Sequence, residues 1–328
     1  MKRPGTSTGA WRAVHRRDPV HSAPPSGLAT KGSDVEEWLD LVFFRPIGAR
    51  IARALYPTRA TPDQVTLISL VIGLAAGHLF VYRSPAVNAA GFALFIVSDL
   101  FDSADGQLAR MRGTSTRFGR VLDGISDTAR FVNLGLHLLV RLVLVGGWSW
   151  PAATALLAVA ALSHSTQSTA IDFVRHAYLA LGVGHGSELD LDGVAAQPGL
   201  SWPKRLAAAI YRGYGRQQTR LFPQTVALAR AGRADRMSPA AAAVYRSRVR
   251  PVVRSCALLG QNLRFIVLGV TAVGGWPAGL LWITAIPMNL VLLWLVAAQE
   301  HRATGVLGAL EPGMLPASPP PAVAVGGD

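Results

Sequence analysis

Between positions 102 and 127 the chain reads DSADGQLARMRGTSTRFGRVLDGISD and holds Asp102, Asp105, Asp123 and Asp127. Residues three or four apart share a helix face, so Asp102, Asp105 and Ala109 lie on one face and Gly119, Asp123 and Asp127 on another. Gly113, Thr114, Ser115 and Thr116, in the connector Met111 to Arg117, suit a turn. Two helices are therefore expected, with their four carboxylates facing each other. Ionised carboxylates gathered at the ends of apolar helices repel one another and carry a desolvation penalty, so the pattern calls for a cation. The ligands are hard oxygens, with no Cys or His at metal spacing, and Mg²⁺ or Mn²⁺ is expected over Zn²⁺.

The elements that must position these acids belong to a membrane. Half of the 328 residues are hydrophobic, 16% are charged, and the mean hydropathy is +0.31. Residues 64–82, 152–171 and 280–299 are uncharged runs long enough to span a bilayer. Three further runs are interrupted by ionisable groups: 87–109 ends in the carboxylate motif, 119–145 begins in it, and 255–273 contains Arg264. The loops near 83–87, 146–151 and 274–279 together hold one positive charge, Arg83. On the other side lie Arg112, Arg117 and Arg120, and residues 175–254 carry thirteen Lys or Arg against four acids. The positive-inside rule then puts both termini and the carboxylates on the cytoplasmic side of the inner membrane.

The fold expected is all-α: a polytopic integral membrane protein with six transmembrane helices plus an N-terminal interfacial amphipathic helix. Residues 1–32 read as a disordered cytoplasmic tail, 33–60 as the interfacial helix, 61–311 as the six-span domain with a cytoplasmic helical insertion at 175–254, and 312–328 as a flexible tail. In the interfacial segment Trp38, Val42, Ile47, Ile51 and Leu55 form the apolar side, Arg53 lies opposite, Ser33 and Glu36 have capping-box spacing, and Pro46 should kink or divide the helix. TPDQVT opens the first span as an N-cap, Thr61, followed by Pro62 at the first helical position. In the insertion, Leu206, Ile210, Tyr214 and Leu221 form one stripe and Arg205, Arg212, Arg216 and Arg220 the opposite one. Such a helix suits either the membrane surface or a packed position with a solvated basic face. Ser238 and Pro239 start another helix. The net charge of +13 has no nucleic-acid motif beside it, so anionic membrane lipid is the expected counter-charge and nucleic acid is not an expected partner. Cys256, the single cysteine, excludes an internal disulfide and reads as a buried structural thiol.

The motif resembles the signature of the CDP-alcohol phosphotransferase family, D-x2-D-G-x2-A-R-x8-G-x3-D-x3-D, at every specified position. This resemblance implies a metal-dependent enzyme of phospholipid biosynthesis. It would transfer a phosphatidyl or substituted phosphoryl group from a CDP-linked lipid, CDP-diacylglycerol being the expected one, to an acceptor hydroxyl with release of CMP. Asp102, Asp105, Asp123 and Asp127 would be the metal ligands, and with a pyrophosphate present they match a site for two ions. Asp127 would also be the general base. Gly106, Ala109 and Gly119 would let the nucleotide approach the backbone, and Arg110 would fork onto the pyrophosphate. Pro62 and Thr66 match an element near the nucleotide, although Asp63 stands where the family usually has Asn. A homodimer is compatible with the resemblance.

The acceptor is a small alcohol or a phosphorylated one. Arg130 projects from the same helix face as Asp127, and Arg264 is an arginine within a span, which is costly unless it meets an anion. Together they point to a phosphorylated acceptor, inositol phosphate or glycerol 3-phosphate. The alternative is that Arg264 pairs with Asp172 or a motif acid and only holds helices together. Asp99 either lines the cytidine pocket or pairs with an arginine. His137 reads as a packing residue, and His164, Ser165, Gln167, Ser168 and Thr169 read as polar glue between helices. A transporter or ion pathway using the clustered carboxylates is the alternative from another class; it predicts acids spread through the membrane depth and two related halves.

Overall fold

The computed structural model describes residues 34–183, 202–231 and 238–308. Both expected tails, with Ser33, lie outside the described residues. The helices are α1 (Arg45–Leu55), α2 (Pro62–Leu79), α3 (Pro85–Arg112), α4 (Arg117–Leu144), α5 (Trp150–Tyr178), α6 (Trp202–Leu221), α7 (Pro223–Ala231), α8 (Pro239–Ser255), α9 (Gln261–Val273), α10 (Gly279–Ala285) and α11 (Pro287–Leu307). Among the described residues there is no strand.

Among the described residues, four helical stretches are long and apolar enough to cross a bilayer: Pro62–Leu79, Pro85–Arg112, Pro239–Val273 and Gly279–Leu307. The expected membrane architecture is therefore met in part. Helices α4 and α5 are as long, at 28 and 29 residues, but α4 carries Asp123, Asp127, Arg130 and Arg141, and α5 carries the polar run from His164 to Thr169. The expectation treated 152–171 as a plain span because it has no charge. That polar run dilutes its apolar character.

Local sequence sets the helix ends. Thr61 closes a capping box with Gln64 at the start of α2, with Pro62 in the first turn. Gly113 ends α3 at φ 65°, a left-handed conformation that glycine adopts without steric cost, and Thr114 N–H returns to Ala109 O at 2.9 Å. Thr116 then caps α4 by accepting from Gly119 N–H at 2.9 Å. This is the turn that Gly113 to Thr116 predicted. A π-helical turn, Asp40–Phe44, precedes Pro46 in the first turn of α1.

Small residues bring the first helices close. Ser69 on α2 and Ser98 on α3 exchange hydroxyl-to-carbonyl hydrogen bonds at 2.9 and 2.8 Å. A side chain at Gly73 would strike Arg130, and one at Gly77 would strike Asn133, so these glycines let α4 lie against α2. Gly48 likewise lets α1 lie on Ser103 and Gln107 of α3. Arg112 donates to Leu55 O and Tyr56 O at 2.8 and 2.9 Å, to Thr58 O and to Ala60 O, tying the end of α3 to the loop after α1. Arg141 does the same at the far end of the bundle, donating to Phe80 O, Tyr82 O and Gly275 O. Three apolar clusters complete the packing, the smallest joining α1, α2 and α3 through Ala52, Val65, Ala104 and Leu108; the other two are larger. One joins α2 to α5 with α9 and α10 around Phe80, Leu138 and Leu268; the other joins α5, α7, α8 and α11 around Tyr178, Tyr245 and Leu295.

Candidate active site

The motif acids do converge. Asp102 on α3 and Asp123 and Asp127 on α4 each offer a carboxylate oxygen, and these atoms lie within 4.8 Å of one another. Asp105 is buried and stands apart from the three, accepting a hydrogen bond from Thr66 Oγ1 of α2 at 2.5 Å. Thr66 also donates to Pro62 O at 3.2 Å, so the start of α2 is tied to the motif through the two residues singled out there.

Arg130 sits in the middle of these acids. It is 4% exposed and donates to Asp99 Oδ1 at 2.9 Å, Asp102 Oδ1 at 2.8 Å, Asp127 Oδ1 and Ser98 Oγ at 3.0 Å. The spacing from Asp127 to Arg130 is one helical turn and was visible in the sequence; the reach to Asp99 and Asp102 on α3 was not. Of the two readings of Asp99, the structure has the ion pair. Arg130 thus meets three of the carboxylates gathered here, Asp99, Asp102 and Asp127, while Asp105 is held by Thr66. A hard divalent cation fits this donor set, since it needs oxygen ligands and neutralises what Arg130 does not.

The residues expected on the nucleotide side lie beside this cluster. A Cβ on Gly106 would come within 3.3 Å of the Arg110 guanidinium, so Arg110 folds over the glycine toward the start of the motif. A Cβ on Gly119 would come within 3.3 Å of Asp63 Oδ1, which sets α4 close to the first turn of α2. Ala109 lies on the same helix face as Asp102 and Asp105 and is half-buried.

Beside Asp127 opens a cavity of about 770 Å³. Its lining mixes apolar residues such as Phe131, Leu138 and Leu281 with the polar Thr128, His164, Ser165, Ser168, Thr169, Asp172, Tyr214 and Arg264. Arg264 is 5% exposed and donates to Leu259 O and, at 2.6 Å, to Gln167 Oε1. Neither Asp172 nor a motif acid is among these partners, so the structure does not have the alternative in which Arg264 pairs with one of them; both acceptors are neutral. Gln167 does act as glue, reaching Thr284 O and Asn289 Oδ1 at 3.0 and 2.9 Å, while its neighbours Ser165, Ser168 and Thr169 face the cavity. His137 lies away from this site, bonded to Asn133 O and His78. Cys256 is buried and free. Sequence reasoning missed Ser98 as a ligand of Arg130 and Asp172 and Tyr214 as cavity residues, because their partners are distant in the chain.

Comparison with known proteins agrees with this arrangement. A sequence model of the family described as CDP-alcohol phosphatidyltransferase matches residues 59–184, which contain α2 to α5 and every carboxylate of the cluster. The chain is 30% identical over 193 residues to the phosphatidylinositol phosphate synthase of Mycobacterium marinum, an alignment covering 53% of this chain and 76% of that protein. It is 38% identical over 101 residues to the enzyme of the same name from Mycobacterium tuberculosis, covering 30% of this chain and 46% of that one. Over 69 residues it is 38% identical to the CDP-diacylglycerol–serine O-phosphatidyltransferase of Methanocaldococcus jannaschii, covering 21% of this chain and 29% of that protein. The chain belongs to the CDP-alcohol phosphatidyltransferase family and is a membrane transferase of phospholipid synthesis.

Proposed function

We propose that the enzyme transfers a phosphatidyl group from CDP-diacylglycerol to a hydroxyl of a phosphorylated polyol, with inositol phosphate as the acceptor. The observation that carries the acceptor is Arg264: a buried guanidinium on the wall of a cavity that reaches Asp127, hydrogen-bonded to neutral groups. Among the described residues no carboxylate contacts Arg264, the buried Glu37 acting on its charge only from further off, and a phosphate in that cavity would offset the remaining cost of burying it. The relatives named phosphatidylinositol phosphate synthase support the same class of acceptor.

Asp102, Asp123 and Asp127 would hold the divalent ion, Mg²⁺ or Mn²⁺, and the reading with two ions extends the set to Asp105. Bound there, the metal supplies charge neutralisation on the transferring phosphoryl group. The protein does the rest by positioning. Gly106, Ala109 and Gly119 leave room for the nucleotide against the backbone, with Pro62 and Thr66 shaping its edge and Arg110 forking onto the pyrophosphate. Asp127, at the cavity mouth, takes the proton of the acceptor hydroxyl. That oxygen attacks the lipid-bearing phosphorus, the bond from this phosphorus to the bridging oxygen breaks, and CMP leaves with the bridging oxygen. Arg130 serves as counter-charge to Asp99, Asp102 and Asp127, so the phosphate clamp expected of Arg130 and Arg264 together narrows to Arg264.

In this reading α4 and α5 complete six spans, the carboxylates face the cytoplasm, and both termini lie on that side. The clustering of the acids at one end of α3 and α4 favours phosphoryl transfer over an ion pathway, for which acids would be spread through the membrane depth. CMP release from CDP-diacylglycerol, measured with inositol phosphate, glycerol 3-phosphate, serine and inositol, tests the proposal. Inositol phosphate should be the best acceptor, with activity abolished by EDTA, restored by Mg²⁺ or Mn²⁺ and weak with Ca²⁺. A best acceptor lacking phosphate, or full activity in EDTA, would refute it.

A further inference from the structure

The basic segment between Arg175 and Arg254 contributes directly to the cavity. Tyr214 of α6 lines it, and its hydroxyl donates to Asp172 Oδ2 at 2.9 Å. Three residues on, Gln217 Nε2 donates to Thr166 Oγ1 of α5 at 2.9 Å, and Gln217 is not part of the cavity wall. Helix α6 is therefore seated against the polar stretch of α5 by two separate contacts. Between the two alternatives for this helix, these contacts are those of a packed element; Leu206 and Ile210 lie outside the residues whose side chains are described.

The polar side of the cavity has an ordered chemistry. On α5, His164, Ser165, Ser168, Thr169 and Asp172 fall at intervals that share one helix face, and all five line the cavity. Asp172, the last of them, is exposed at the mouth and can only accept hydrogen bonds when ionised, whereas the Tyr214 hydroxyl both donates and accepts. A carboxylate there repels a second anionic group but welcomes hydroxyls.

Building on the acceptor reading above, we propose that Asp172 and Tyr214 are the specificity-determining pair of the acceptor site and select a polyol monophosphate by its hydroxyls. The phosphate is met by Arg264, and hydroxyls remote from the phosphate donate to Asp172 and exchange hydrogen bonds with Tyr214. A site whose polar groups are placed for hydroxyls binds an analogue lacking them less tightly, because those hydrogen bonds are not made. Helix α6 thereby becomes a wall of the substrate site rather than a membrane-surface accessory, with its basic stripe of Arg212, Arg216 and Arg220 on the side away from the cavity.

The test is steady-state kinetics of the full-length enzyme in lipid nanodiscs, with inositol phosphate and glycerol 3-phosphate as acceptors. Tyr214→Phe and Asp172→Asn should each raise the KM for inositol phosphate about tenfold, the value of one hydrogen bond involving a charged group, with kcat within about twofold and the KM for CDP-diacylglycerol unchanged. The KM for glycerol 3-phosphate, which offers fewer hydroxyls, should rise less, so the preference between the two acceptors narrows. Gln217→Ala removes the other α6 contact without touching the cavity and should leave both acceptor KM values unchanged. The inference is overturned if the wild-type enzyme prefers inositol phosphate but neither Tyr214→Phe nor Asp172→Asn alters acceptor KM. It is equally overturned if Gln217→Ala reproduces the effect, since Tyr214 would then only seat the helix. Wild-type turnover confined to unphosphorylated acceptors would instead remove the acceptor reading on which it rests.

Discussion

Arg130 in the carboxylate-bearing helix pair and Arg264 in the cavity wall are both about 95% buried, and their surroundings differ in kind. Around Arg130, three aspartates and a serine from two helices converge on one guanidinium. Around Arg264, the hydrogen bonds go to a backbone carbonyl and an amide oxygen. Two arginines that look alike in a hydropathy profile thus have opposite consequences. The charge of Arg130 is met by the acids that it brings together, and removing it would leave the half-buried Asp99, Asp102 and Asp127 without this counter-ion. The two acceptors of Arg264 are neutral, which is compatible with the proposed binding of an anionic acceptor at this wall.

The largest effect that bears on this contrast should come from the carboxylates themselves. Asp123→Asn keeps the shape of the cluster but replaces the carboxylate proposed as a metal ligand with an amide, and CMP release should fall by more than about a hundredfold while the protein inserts and purifies normally. More than a tenth of the activity at saturating Mg²⁺ would break the assignment. Arg130→Gln should come next. It should destabilise the protein by about 3 kcal/mol, read as a lower thermal midpoint in detergent, because Asp99 and Asp102 lose a buried partner. Adding Asp99→Asn should recover part of that loss; a single variant as stable as the wild type would mean that Arg130 is not their counter-charge.

Arg264→Gln sharpens the other side of the comparison. Its acceptor KM should rise by about tenfold or more with the CDP-diacylglycerol KM within about twofold, and its thermal midpoint should move less than that of Arg130→Gln. Equal changes in both KM values would show that Arg264 only holds helices together. The smallest effect is expected at Thr61→Ala, which opens the capping box of α2 and should cost about 1 kcal/mol of stability while leaving kcat within about twofold. A collapse of activity there would mean that the start of α2 does more than frame the nucleotide edge.

The sequence alone determined the all-helical class, the membrane setting, the turn at Gly113 to Thr116 and the cap at Thr61, because each rests on neighbours within a turn or on composition over about twenty residues. It also placed Asp102, Asp123 and Asp127 together, since their spacing fixes them on facing helix sides and the family resemblance supplied the roles. What it left open depends on contacts between distant segments. Arg112 counted toward membrane orientation, yet it staples α3 to the loop after α1. Asp99 found Arg130, and Asp172 found Tyr214, 42 residues away along the chain. Arg130, expected to clamp a substrate phosphate, was drawn into the acids once α2 and α3 packed closely enough at Ser69, Ser98 and Gly73 to put Asp99, Asp102 and Asp127 within one guanidinium's reach. A pattern of single residues specifies which face of a helix a side chain occupies. Only the packing of helix against helix decides whose charge it meets there.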